Sequence, residues 1–213
     1  KVVRNTPAAR DQEHLVMVVE QNPQIPDRTE NLIADGTDPT VALYATCKKL
    51  EVADADVIAI PCNTAHAFVE RIQPYLAVPI VNMLHETVRH LREQHPERRT
   101  VGLLATSGTI QSRVYHDIAT PAGITLLTPD APHQALVMQA IFGERGVKAG
   151  HTEGECREQL ETALRHLVER GAEAIILGCT EISLLVGQRD GDVPLFDTTA
   201  IHARAAAEEA LAE

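Results

Sequence analysis

The chain has 213 residues, with 19 Lys and Arg against 30 Asp and Glu, and a formal net charge of -11 when histidines are neutral. That balance argues against a nucleic-acid or anionic-membrane surface, while 44% apolar and 23% charged residues exclude disorder and collagen-like structure. Only 3% of residues are aromatic and none is Trp, so the core must come from Ala, Val, Ile and Leu, and binding of single strands by stacking aromatics is excluded.

The first strand expected along the chain is Leu15–Glu20, and the next is Asp56–Ile60. A helix from Thr64 to about Leu76 follows, burying Ala65, Phe68, Val69, Ile72 and Leu76. After a strand at Pro79–Met83, the polar stretch Glu93–Arg99 reads as a hinge before the strand Thr100–Ala105. Ile124–Thr128, Glu173–Leu177 and Pro194–Phe196 complete the strands. Between them Cys156, Leu160, Ala163, Leu164, Leu167 and Val168 recur at helical steps over Glu155–Arg170, with Thr152 and Glu155 as a capping box and Gly171 as the stop. A last helix is expected around Ala200–Leu211. The strand runs are continuous rather than alternating, as in parallel sheets buried on both faces.

A weak internal echo relates residues 55–64 to residues 172–181: an acid-marked apolar strand, a small or kinking residue, Cys, a capping residue and a helix. The two cysteines, Cys62 and Cys179, are 117 residues apart by number (179 − 62). The expectation is two α/β domains of similar plan, one of residues 1–97 plus 194–213 and one of residues 98–193. Both echoed cysteines fall at carboxyl ends of strands, where open α/β sheets collect their ligands. A helix N-terminus there can lower a thiol pKa from about 8.5 into the neutral range. One such Cys is better explained as a small buried turn residue; two in matched settings point to chemistry. Cys47 and Cys156 fall on apolar helix faces and read as core. Two thiols across a cleft could exchange protons at a carbon next to a carboxylate, one as base and one as acid, inverting the stereocentre without cofactor or metal.

Pro61–Cys62–Asn63–Thr64–Ala65–His66, Gly178–Cys179–Thr180–Glu181 and residues 22–29 (NPQIPDRT) resemble the aspartate racemases of the cofactor-independent aspartate/glutamate racemase family. Gly102–Thr106, Gly108–Thr109 and Val193–Asp197 add to the resemblance, which runs in order through nearly the whole chain. It implies two pseudo-symmetric three-layer α/β domains with mainly parallel sheets, an active site at their interface, a homodimer, and Cys62 and Cys179 as the acid/base pair. By the same resemblance Arg28 and Lys148 hold the side-chain carboxylate of an acidic amino acid, Asn63, Thr64, Thr106, Thr109 and Thr180 bind its α-carboxylate or ammonium, and Glu181 joins the site. Glutamate racemases commonly carry His where Glu181 stands, which places the sequence nearer the aspartate branch.

Family members begin with a strand and a glycine-rich loop, and the chain opens at Lys1 without Met, so that stretch is expected to be missing here. No apolar run reaches the roughly 18 residues of a membrane helix, and Lys1 to Arg10 carry no signal-like apolar region; a cytoplasmic protein with free thiols follows. His66 alone does not make a metal site, and Ser107 and Thr180 lack the G-x-S-x-G setting of a serine hydrolase. Two other functions fit the same residues: a cysteine-dependent isomerase or decarboxylase of a related dicarboxylate, maleate isomerase-like, and a non-catalytic dicarboxylate-binding protein.

Overall fold

The computed structural model describes residues 1–190 and 192–212. In chain order come α1 (Val2–Asn5), α2 (Arg28–Ala34), α3 (Thr40–Val52), β1 (Ile58–Ala59), α4 (Val69–Ile72), β2 (Ile80–Val81) and α5 (Met83–Gln94). Then follow β3 (Thr100–Ala105), α6 (Ser107–Gln111), α7 (Val114–Ala119), β4 (Thr125–Leu127), α8 (Ala131–Phe142), α9 (Glu155–Glu169), β5 (Ala174–Gly178), α10 (Ile182–Leu185), β6 (Leu195–Asp197) and α11 (Thr198–Leu211). β1 and β2 form a two-stranded sheet, and the other four lie in the order β4-β3-β5-β6. Every pairing is parallel. None of the described helices is long and apolar enough to cross a membrane.

The larger sheet is covered on both faces, as its continuous apolar strands require. Alternate residues part to opposite sides: Leu104, Ile175 and Leu177 pack with α8 and α9, whereas Val101, Leu103, Ala105, Ala174 and Ile176 pack with α5 and α7. A third cluster joins β1 to α3 through Leu43, Cys47 and Ile58. β6 takes the edge beside β5, so hydrogen bonding draws residues 195–197, read from sequence as part of the first domain, into the larger sheet. α11 then touches strands of both sheets.

Three local expectations need correction. Leu15–Glu20 is not a strand: it runs without regular structure, with Val16 94% and Val19 83% exposed. Strand propensity has no effect without a neighbour to accept the ladder. The helix expected over Thr64–Leu76 buries the predicted apolar positions but is broken into 3-10 turns around α4. Pro74 lacks the amide that a continuous ladder would direct to Glu70. Finally, α9 begins at Glu155 with Gly154 at φ 72 as its N-cap, and no side chain caps it, so Thr152 and Glu155 form no capping box. The Cys156 thiol instead donates to the Glu153 carbonyl at 3.4 Å, while Gly171 at φ +93 does stop the helix. The stretch read as a hinge is pinned, since Glu173 accepts the main-chain amides of Arg99 and Thr100, both at 2.8 Å.

Candidate active site

Parallel strands end together, and the residues after β1, β3 and β5 meet at one place. Cys62 lies three residues beyond β1, Thr106 directly after β3, and Cys179 directly after β5. The amino end of α2 closes this rim. Its approach to α6 depends on Gly108, where a Cβ would lie 2.8 Å from the Thr29 Cα. Gly178 serves the same end on β5: a Cβ there would meet Leu103 Cδ1 at 2.9 Å and the Leu104 carbonyl at 3.2 Å. Between these elements is a cavity of about 150 Å³.

Nine of the ten site residues expected from sequence line it: Arg28, Cys62, Asn63, Thr64, Thr106, Lys148, Cys179, Thr180 and Glu181. The tenth, Thr109, stands behind the wall. It is fully buried, with its hydroxyl 2.8 Å from that of Thr64 and 3.1 Å from that of Thr106. Thr29 joins them by donating to Thr106 at 3.3 Å. This cluster of hydroxyls fastens the ends of β1, β3 and α2 to one another and supplies both donors and acceptors.

Asn63 is held from behind. The phenol of Tyr115, fully buried and raised in pKa by that burial, donates to Asn63 Oδ1 at 2.6 Å. Asn63 Nδ2 in turn donates to Thr198 Oγ1 at 3.0 Å, and Thr198 donates to the Leu177 carbonyl at 2.9 Å. One Nδ2 hydrogen remains for the cavity. Cys62 is braced by His66, whose Nδ1 lies 2.8 Å from the Cys62 carbonyl and whose Nε2 accepts the Met83 amide at 3.0 Å. These contacts assign the proton to Nδ1, and burial depresses the His66 pKa to about 4, so the ring is a neutral strut. Both ring nitrogens are used, which leaves none for a metal.

Cys179 departs from expectation in its ionisation. Its thiol is buried and donates to Glu181 Oε2 at 3.0 Å. Burial first, then the Glu181 charge and that hydrogen bond, push its pKa well above the usual thiol value, so the helix-end lowering inferred from sequence is outweighed. α10 has a single turn, too short a dipole to prevail over an adjacent carboxylate. Burial would raise the Glu181 pKa too, but hydrogen bonds from Cys179, Lys148 and Thr180 and the Lys148 charge hold it at about 2. Lys148 Nζ lies 2.6 Å from Glu181 Oε1 and 5.4 Å from the centre of the Phe142 ring. Burial opposes the lysine's charge, and Glu181 more than compensates, raising its pKa. Lys148 rides on a 3-10 turn, residues 147–149, between Gly146 and Gly150 at φ +95.

Arg28 is the first residue of α2 rather than a loop residue; Asp27 caps the helix by accepting the Glu30 amide at 2.9 Å. Arg28 Nη1 donates to the Ile25 and Pro26 carbonyls at 3.3 and 3.1 Å, which fixes the guanidinium over residues 22–26. Asp27, Thr29, Pro61 and Phe142 also line the cavity; the first three fall in segments that carried the resemblance but were given no site role, and Phe142 was not singled out. Asp27 had a usable signal, a capping residue three positions before Glu30. Phe142 had none, being the apolar end of an ordinary helix.

A model of the Asp/Glu/Hydantoin racemase family matches residues 1–206. The broad specificity amino-acid racemase RacX of Bacillus subtilis (strain 168) is 30% identical over 156 residues, which are 73% of this chain and 65% of that relative. The chain thus spans less than two thirds of the length of this relative. Picrophilus torridus aspartate racemase superposes with a TM-score of 0.86 at 28% identity, covering 98% of this chain and 85% of that one. An aspartate racemase homologue from Pyrococcus horikoshii OT3 superposes at 0.69 with 26% identity, over 85% and 79% of the two chains. The family model covers nearly all of the chain, including every residue that carried the resemblance in the sequence, and the fold is that of solved racemases: the chain belongs to the Asp/Glu/Hydantoin racemase family.

Proposed function

We propose that the protein is an isomerase that interconverts L- and D-aspartate by two-base proton transfer between Cα and the thiols of Cys62 and Cys179. The observation that carries this reading is that both cysteines border one cavity together with two cations, Arg28 and Lys148. In one direction the Cys62 thiolate removes the Cα proton, and the electron pair moves onto the α-carboxylate. Cys179, kept protonated by burial and Glu181, then delivers its proton to the opposite face of Cα. The reverse direction exchanges the two roles. The intermediate carries added negative charge on the carboxylate, and we assign its stabilisation to the hydroxyls of Thr64 and Thr106 and to Asn63 Nδ2, all on residues that line the cavity. The side-chain carboxylate meets Arg28 and Lys148, drawing on the fork geometry of the guanidinium.

The cavity of about 150 Å³ suits a small amino acid. A second reading, racemisation of a wider range of amino acids, is favoured by the likeness to the broad specificity racemase of Bacillus subtilis. The two sides of the site are residues 1–97 with α11, and residues 98–193 with β6, which pairs in their sheet, in a cytoplasmic homodimer. The test is incubation of each enantiomer of aspartate, glutamate and alanine in heavy water without added cofactor. Deuterium at Cα with loss of optical rotation supports the reading, and the relative rates choose between the two specificities. Neither exchange nor racemisation with any of the three substrates would overturn both.

A further inference from the structure

A cluster of metal-ligand side chains lies on the larger sheet's helical layer, at the start of α8. Asp130 is the N-cap of α8, His133 is in its first turn, and His166 is in the last turn of the neighbouring α9. One ligand atom from each residue falls within 4.8 Å of the others. His133 Nδ1 lies 2.5 Å from Asp130 Oδ1, and His166 Nε2 lies 3.6 Å from Asp130 Oδ2. The two imidazole rings stack with centroids 3.7 Å apart and planes 8° from parallel. From these contacts we infer that Asp130, His133 and His166 form a binding site for a divalent transition ion of the zinc, cobalt or nickel class, with water completing the coordination.

The separations are near those of a metal site, and the two rings must turn out of their stacked arrangement, because an ion midway between parallel planes about 3.7 Å apart would lie outside both ring planes. Zinc binds nitrogen and carboxylate oxygen at about 2.0–2.2 Å, which separates two ligand atoms of a tetrahedral site by about 3.4 Å. The His166–Asp130 separation of 3.6 Å is already near that value, and the His133–Asp130 hydrogen bond need only open by about 1 Å. His166 Nε2 accepts the Asp130 main-chain N–H at 3.4 Å, so its lone pair rather than a proton lies on the Asp130 side, and an ion would take that lone pair over from the amide. A metal at Nδ1 would take the place of the hydrogen that His133 shares with Asp130 Oδ1, and that hydrogen would move to Nε2 as the ring changes tautomer. Two imidazoles and one carboxylate suit ions of this class and discriminate against magnesium and calcium, which prefer all-oxygen sites.

The loop leading to Asp130 is anchored, because Arg170 Nη1 donates to the Thr128 carbonyl at 2.7 Å. An ion here would clamp the beginning of α8 to the end of α9, helices that pack along their lengths. Phe142, at the other end of α8 and about 18 Å along it at 1.5 Å rise per residue, borders the active-site cavity, while Gln134, next to His133, donates to the Ala105 carbonyl at 3.0 Å beside the cavity-lining Thr106. The role inferred for the ion is structural, since none of its three ligands lines that cavity.

The test is a titration of the untagged, full-length protein with cobalt(II), followed by absorbance and by the thermal midpoint, with Cys62→Ser and His151→Ala as controls. The expected result is one ion per chain and a higher thermal midpoint, with no sulfur-to-metal charge-transfer band. Binding falls at least tenfold in His133→Ala, His166→Ala and Asp130→Asn and persists in both controls. Because a variant could be destabilised by itself, zinc is also titrated into the unsubstituted protein while the imidazole nitrogens are followed by NMR; His133 and His166 shift in step. No binding at equimolar metal, binding unchanged in His133→Ala and His166→Ala, or binding lost only in Cys62→Ser would each overturn the inference.

Discussion

Replacing Glu181 by Gln keeps the shape of the side chain and removes its charge from between Cys179 and Lys148. In the folded protein Glu181 titrates at about 2 against an ordinary 4.5, and at about 1.4 kcal/mol per pH unit that is about 3 kcal/mol. The carboxylate is 18% exposed, but its lysine partner is 42% exposed, so water screens part of the interaction; about 2 kcal/mol is the usable figure. The sign follows from proton counts. The unfolded chain takes up the Glu181 proton as pH drops through 4.5, whereas the folded chain resists until about 2, so the group stabilises fully above pH 4.5 and loses that contribution on acidification. Urea unfolding at pH 7 is expected to find Glu181→Gln less stable by about 1–2 kcal/mol. The gap to the unsubstituted protein should narrow steadily as pH falls from 4.5 toward 2. In a Cys62→Ser background, the midpoint of Cys179 ionisation, read from thiolate ultraviolet absorbance, should move down. A gap that stays constant or widens on acidification, or a Cys179 midpoint that stays in place, would refute the reasoning.

Cys62→Ser and Cys179→Ser should each lower racemisation of aspartate by about 10²–10⁴-fold, the usual range for a positioned acid or base, with far-ultraviolet dichroism unchanged; near-normal turnover in either would remove that thiol from the mechanism. His66 stays neutral down to about pH 4, while an unfolded histidine binds its proton near 6.5, so stability falls with pH across that window by up to about 3 kcal/mol. Unfolding curves of His66→Gln, which keeps a donor and an acceptor, should lose this part of the slope. Tyr115→Phe removes the donor to Asn63 Oδ1 and leaves a buried oxygen unpaired, costing about 1–3 kcal/mol in urea unfolding and slowing racemisation by loosening Asn63; unchanged stability together with unchanged rate would show that Asn63 is held by other contacts.

What the sequence made legible follows from the range of the forces involved. β3 was readable to the residue because five consecutive buried positions out of six leave little freedom in its burial pattern; Cys179 was readable because it follows another such strand, β5, and Cys62 because its surroundings echo those of Cys179 in the sequence. Leu15–Glu20 misled because a strand is a pairwise object: its apolar run satisfies propensity, yet none of the described strands lies beside it. The Cys179 ionisation misled for a related reason. A helix end was visible in the sequence, but the burial of the thiol and the precise aim of Glu181 are products of packing. Tyr115 and Thr198, which lie 52 and 135 positions from Asn63, could not be read at all, since no local pattern reports a hydrogen bond that long-range folding creates.

Charge in the cavity sharpens the question of specificity. Asp27, Arg28, Lys148 and Glu181 all line it, two negative and two positive, so the wall is neutral although the chain as a whole is at -11. A zwitterionic amino acid enters such a site without changing its balance, whereas aspartate brings one excess negative charge into a space of about 150 Å³. Lys148 is already committed to Glu181, so aspartate must share that lysine with a carboxylate of its own sign. Glu181→Gln removes the competitor and leaves Lys148 to the substrate. The ratio of kcat/KM for aspartate to that for alanine is therefore expected to rise about tenfold in this variant, the equivalent of about 1.4 kcal/mol. A ratio that stays level would mean that Arg28 alone carries the side-chain carboxylate, and a ratio that falls would mean that Glu181 binds the substrate ammonium rather than restraining Lys148.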